Sequence, residues 1–217
     1  MLKFIKNSTA LKPWGKRNPL SKAAAELRDN EDGVAAVEFA ILAPIMIALY
    51  FGLVEISLFI QADKTVSHAT NVAGDLATQI SNIDADDLED VFEATLATMS
   101  LKPERVTDVR AEILSYRVAP GGAIEQIGQA TLGGGVSGAY DPSTIGPRLL
   151  TVGSGAVVAR MEYQYESITY KFVEPVTNMT ETFVLKPRVS PDIPFSDDGT
   201  PGTFTCAANG SMGVDCS

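Results

Sequence analysis

A chain of 217 residues has room for one or two domains, and its formal charge of −10 is placed unevenly along it. Residues 1–33 hold seven Lys or Arg against four acids, whereas residues 34–217 hold ten basic and 23 acidic residues, a net charge near −13 that argues against nucleic acid as a partner. A single histidine, His68, gives a Ser-His-Asp hydrolase little to build on, and with two cysteines it falls short of a four-ligand zinc site.

Residues 1–20 mix Lys, Pro and Asn without apolar periodicity and read as a flexible arm. Ser21 is placed to cap a short helix through Ala23-Ala24-Ala25-Glu26-Leu27, which gives way to the polar stretch from Asp29 to Gly33. From Val34 to Ile60 the character changes. Those 27 residues contain two ionisable side chains, Glu38 and Glu55, separated by 16 uncharged residues rich in Leu, Ile, Ala and Phe. At about 1.5 Å per residue the run approaches the roughly 30 Å hydrocarbon core of a bilayer. The spacing predicts a transmembrane helix over 34–60, tolerating Pro44 and Gly52 because neighbouring turns in a bilayer make good a lost hydrogen bond. The excess of Lys and Arg before it keeps the N-terminus in the cytoplasm and sends the C-terminal part across.

A carboxylate at Glu38, inside the apolar run, needs a positive partner. Cutting between Gly33 and Val34 would supply one, since the new α-amino group lies one helical turn from Glu38. Glycine before the cut suits proteolysis, because the backbone can extend into a protease without a side chain in the way. A secretory signal peptide fits badly: the apolar run is too long, and no small-residue cleavage site follows it. An uncleaved signal anchor remains the alternative, with the same topology.

Beyond the span, Phe59, Ala62, Val66, Ala69, Ala73, Leu76 and Ile80 alternate by three and four, which predicts an amphipathic extension over 61–82 packing on the chain's own domain or on another subunit. His68 falls on its solvated flank. Asp84 reads as the N-cap of a second helix whose apolar face is Leu88, Val91, Phe92, Leu96 and Met99. The period then drops to two. Val109, Ala111 and Ile113 lead to a turn at Pro120-Gly121-Gly122 and on to Ile124–Thr131, a predicted hairpin. Gly133–Pro147 reads as an exposed loop and lacks the lysine of a phosphate cradle. The clearest strand has Val157, Ala159, Met161, Tyr163 and Tyr165 on one face, and Val158, Arg160, Glu162 and Gln164 on the other. A last strand over Thr180–Leu185 stops at Pro187. These elements place an α+β domain over 83–190, and residues 191–217 read as a mostly irregular tail. Cys206 and Cys216, with nine residues between them in an oxidising compartment, are expected to form a disulfide that pins it.

The segment Gly33-Val34-Ala35-Ala36-Val37-Glu38-Phe39, with the apolar run starting at the glycine, resembles the processing motif of type IV prepilins. The continuation, Ala40, Pro44 and Gly52-Leu53-Val54-Glu55, resembles the TadE-like pseudopilins of the tight-adherence (Tad, Flp-type) pilus assembly system. Ala156–Tyr165 is similar to that family's late strand, and Leu185-Lys186-Pro187-Arg188 to its C-terminal Pro-Arg pair. The leader departs from many prepilins in its 33-residue length and in its acidic end at Asp29, Glu31 and Asp32. The resemblance implies a pilin-like α+β fold, with a long N-terminal helix, half in the membrane, against a small antiparallel sheet. It implies a minor pseudopilin in the bacterial inner membrane, with its C-terminal domain periplasmic, supporting pilus biogenesis and adhesion. A prepilin peptidase would cut after Gly33, and Glu38 would accept the freed amine. Other pilins, Tad inner-membrane assembly proteins and membrane lipid are the implied partners; no enzyme activity and no cofactor are implied. The competing reading is an uncleaved single-pass anchor that presents a periplasmic binding or scaffold domain.

Overall fold

The computed structural model describes residues 32–168, 176–196, 202–209 and 213–217. The expected N-terminal arm and the short helix after Ser21 lie outside the described residues. The chain divides into two compact units, Met1–Tyr50 and Phe51–Ser217. In the first unit the described residues are helical, the opening part of helix α1, Asp32–Ala77. Pro44 sits inside that helix without ending it, as a proline can where the adjoining turns carry the load.

The second unit holds the rest of α1, helix α2 (Ala85–Met99) and six strands: β1 Val109–Val118, β2 Ile124–Leu132, β3 Gly155–Glu166, β4 Val176–Leu185, β5 Thr203–Ala208 and β6 Val214–Cys216. The strands form one sheet in the order β4-β3-β1-β2-β5-β6. Every pair is antiparallel except β2 with β5. The class is α+β.

Helix α1 ends at Ala77, short of Asn82, because its last turn tightens: the Gln79 amide donates to Leu76 O at 3.0 Å and the Thr78 hydroxyl to Asp75 O at 2.8 Å. Asp84 then caps α2 with a reciprocal box, accepting from the Asp87 amide at 2.9 Å while its own amide reaches the Asp87 carboxylate at 3.4 Å. This clustering of acids is capping and helix-dipole chemistry. The five apolar residues predicted for α2 are all buried, together with Val66, Ala69 and Ala77 of α1 and Val109, Ala111, Ile113, Val157 and Met161 of the sheet. Each such Leu or Phe contributes about 2–3 kcal/mol by leaving water. Helix α1 approaches the sheet closely at Gly74, where a Cβ would lie 2.5 Å from Leu185 Cδ1 and 3.1 Å from the Ala159 Cβ. Arg188 ties the end of β4 to the end of α1, its amide donating to Thr78 O at 3.0 Å and its guanidinium pairing with Asp75.

Two expectations change. The segment 133–147 is not simply an exposed loop: Val136 and Ile145 are buried, and Ile145 joins Leu114, Tyr116, Ala156 and Val158 over the second face of the sheet. That face is apolar at one end and needs a cover. Toward its other end Arg160 donates to Gly138 O at 2.9 Å and pairs with Glu112, while the Ser137 amide donates to the Glu162 carboxylate at 2.8 Å. The tail, read as mostly irregular, still carries two short strands among its described residues. Phe195 bridges Ile83, and β5 and β6 extend the sheet. The disulfide Cys206–Cys216 forms between residues directly opposite each other. Glu93 and Glu89, one turn apart on α2, accept the Val214 and Cys216 amides at 3.0 and 2.9 Å, closing that sheet edge with side chains.

Candidate functional site

The candidate site is the surface of helix α1, built from residues whose apolar character has no use in a water-soluble helix. Gly33 stands in the first turn with open space where a Cβ would be. Val34 is exposed and Glu38 follows it by one helical turn, itself exposed. Phe39 (71% exposed), Met46 (67%) and Tyr50 (65%) show the pattern: large apolar side chains face outward along the helix, and Pro44 is exposed among them. Continuous apolar exposure on this scale calls for a non-aqueous partner, and the helix is long and apolar enough to cross a membrane. It fits a membrane anchor.

Gly52 and Glu55 behave differently from the residues before them. Both are buried, Glu55 to 1% exposure, and the Ser167 hydroxyl at the end of β3 donates to the Glu55 carboxylate. The two glutamates of the apolar run therefore meet different surroundings: Glu38 is presented outward, whereas Glu55 is covered by the chain's own domain. Nearby, the Phe59 and Tyr165 rings meet edge to face with centroids 5.5 Å apart. Burial pushes the Tyr165 phenol above its ordinary pKa, and the Glu55 charge adds to the rise.

Just beyond lies a cleft of about 490 Å³ lined by Leu58, Gln61 and Thr65 of α1, Leu101 and Lys102 after α2, and Tyr163 of β3. Arg105 borders it, bonding Asp108 at 2.6 Å, Glu166 at 2.9 Å and Gln164 O at 3.3 Å. With its guanidinium held by two carboxylates, this is a braced polar rim. His68 is exposed on the helix flank. The Ser167 cover of Glu55 was not visible in the sequence, where Ser167 carries no pattern. The pairing of Glu89 and Glu93 with β6 had a faint signal in their spacing of one helical turn.

Residues 33–75 match the family model described as TadE-like protein. Over that segment the chain is similar to TadE-like proteins. The match opens at Gly33, where the apolar stretch begins, and closes at Asp75, whose carboxylate holds Arg188. No curated protein and no solved structure matched the chain.

Proposed function

We propose that this TadE-like chain is a minor pseudopilin of a Tad-type (type IVb-like) pilus assembly or secretion system. In this reading a prepilin peptidase cuts after Gly33 on the cytoplasmic face of the inner membrane. Val34 becomes the new N-terminus, the span up to Ile60 stays in the bilayer, and residues 61–217 stand in the periplasm. Glu38 accepts the freed amine of Val34, in its own chain or in a neighbouring pilin, and so sets register during assembly. Other pilins and Tad inner-membrane proteins are its partners.

The observation that carries the reading is the coincidence at one point of the family match, the start of the apolar helix and a glycine with an outward glutamate one turn later. A carboxylate facing lipid costs on the order of 2–3 kcal/mol or more unless paired, so an amine one turn away has a physical purpose. N-terminal sequencing of the membrane-bound protein tests it. Val34 as first residue supports processing, while a retained Met1 leaves an uncleaved anchor bearing a periplasmic scaffold domain. A Glu38→Gln variant should insert normally and fail to co-purify with other pilins at wild-type yield.

A further inference from the structure

We propose that the cleft between α1 and β3, at the outer end of the membrane span, holds one phospholipid with a zwitterionic headgroup, its phosphate at Lys102 and its ammonium at Glu104. The inference rests on the membrane-anchor reading of α1. The wall of the cleft on α1 is the stripe Leu58, Gln61, Ala62 and Thr65, one face of the helix by its spacing. At 1.5 Å per residue the stripe rises about 10 Å along the axis. Its level in the membrane follows from the charges. After Glu55, which is buried, the next ionisable residues are Asp63 and Lys64, both exposed, and between them Ile56 and Ile60 face outward as lipid requires. The hydrocarbon boundary therefore falls near Ile60. The cleft begins just below it at Leu58 and ends about 7–8 Å above it at Thr65. A headgroup layer is about 5–8 Å deep, so the cleft occupies that layer.

The lining is of two kinds. Leu58, Ala62, Met99, Leu101, Tyr163 and Tyr165 offer apolar and aromatic surface to methylene groups, and Tyr165, edge to face with Phe59, is a residue type enriched where membrane meets water. The remainder is charged. Arg105 is already held by Asp108 and Glu166. Lys102 and Glu104 both line the cleft, both are exposed, and neither has an ion-pair partner among the described residues. One cation and one anion two residues apart complement the phosphate and ammonium of a zwitterionic headgroup charge for charge. An anionic phospholipid gives Glu104 nothing to pair with, and it enters the field of residues 34–217, whose net charge is near −13. The volume of about 490 Å³ falls within the range of pockets that take small organic molecules, roughly 300–1,000 Å³. Lipid is the occupant because the cleft adjoins the stretch of α1 that already faces lipid and lies at the level where headgroups surround the span.

The test uses the full chain, purified in detergent micelles and analysed by native mass spectrometry after addition of phosphatidylethanolamine or the anionic phosphatidylglycerol. One phosphatidylethanolamine should stay bound as detergent is stripped away, with phosphatidylglycerol retained about fivefold less. Ala62→Trp, which fills the cleft, and Lys102→Glu, which removes the phosphate's partner, should each lower retained phosphatidylethanolamine about fivefold or more, whereas His68→Trp on the exposed flank of α1 should keep it. Because Lys102 is exposed, its variant decides the matter even where Ala62→Trp misfolds. Unchanged retention in Lys102→Glu, or equal retention of the two lipids, would refute the headgroup match. A chain that resists alkaline extraction from vesicles yet retains no lipid would refute the cleft and leave the anchor standing. A chain that alkali extracts sinks the anchor reading and the cleft with it. A second copy retained in place of lipid, and released by Ala62→Trp, would assign the cleft to a protein contact and overturn the proposal.

Discussion

Arg160 is the strongest test of how the loop face of the sheet is held. Arg160 on β3 and Glu112 on β1 are directly opposite in register, with side chains 10% and 8% accessible. The guanidinium also reaches Gly138 O at 2.9 Å and stands 5.7 Å from the centre of the Tyr140 ring. Replacing Arg160 with Met removes the cation and leaves Glu112 buried, which should cost about 3–5 kcal/mol. Glu112→Leu should cost a similar amount by stranding the arginine. Changing both removes the two charges together, and the cost should shrink to about 1–2 kcal/mol, since a packed apolar pair often replaces a buried ion pair with little loss. The short recovery is expected here because Arg160 Nε is already buried with no hydrogen-bond partner among the described residues, so the pair is not fully satisfied as it stands. Urea unfolding of the full chain in detergent micelles, followed by far-UV circular dichroism at pH 7, gives the four corners of the cycle. A double variant no more stable than either single one, or single losses under about 1 kcal/mol, would refute the argument that the pair acts as one buried unit.

Three further outcomes follow from the same structure. Gly128→Ala should destabilise by about 1–3 kcal/mol and lower the melting temperature, because a Cβ there would lie 2.4–2.7 Å from the fully buried Phe195; an unchanged or raised melting temperature counts against this packing. Replacing Cys206 and Cys216 with Ser should cost about 2–3 kcal/mol and speed amide exchange at Val214 and Cys216, whose protons rest on Glu93 and Glu89; exchange confined to its wild-type rate would show that those carboxylates hold the edge without the bond. Glu162 is held below the usual carboxylate range although burial alone would raise it, because the Ser137 amide and hydroxyl stabilise the anion. A depressed folded value means stability present above the unfolded carboxylate pKa and lost as pH falls through the folded one, so the gap between wild type and Glu162→Gln should be full at pH 7 and close in acid; a pH-independent gap would contradict it.

Much of the architecture was legible because it is written in period. The three-and-four spacing from Phe59 to Leu76, the α2 face and the alternation through β3 each declare which side is buried, and turn chemistry at Pro120-Gly121-Gly122 joins the first two strands. What escaped depends on contacts distant in sequence. Residues 133–147 look like solvent-loving loop by composition, yet Val136 and Ile145 are drawn inward because Leu114, Tyr116 and Val158 would otherwise face water. The tail likewise reads as irregular by its Asp, Gly and Pro. Its strands exist because β2 offers an edge, Glu89 and Glu93 receive the outer amides, and the disulfide holds the pair in register. No window of local sequence contains those three partners at once.

The two glutamates of the apolar run show the same divide at the functional surface. By sequence alone Glu38 and Glu55 pose one problem, a carboxylate where lipid is expected, and one answer would serve both. The fold answers for Glu55, which Ser167 reaches from 112 residues away and which burial removes from any lipid-facing role. That leaves Glu38 as the outward carboxylate of the apolar run, with Val34 one turn before it. The argument for a new N-terminus at Val34 is sharper for this, because a partner is now needed at one position rather than two, and that position is the one next to the glycine. It also separates the expected phenotypes. Glu55→Gln should disturb folding of the domain, seen as a lowered melting temperature with the proposed cut after Gly33 unaffected, whereas Glu38→Gln should leave the melting temperature alone and alter association. Equal effects of the two substitutions on stability would mean that the two carboxylates share one role, and the reasoning from burial would fall.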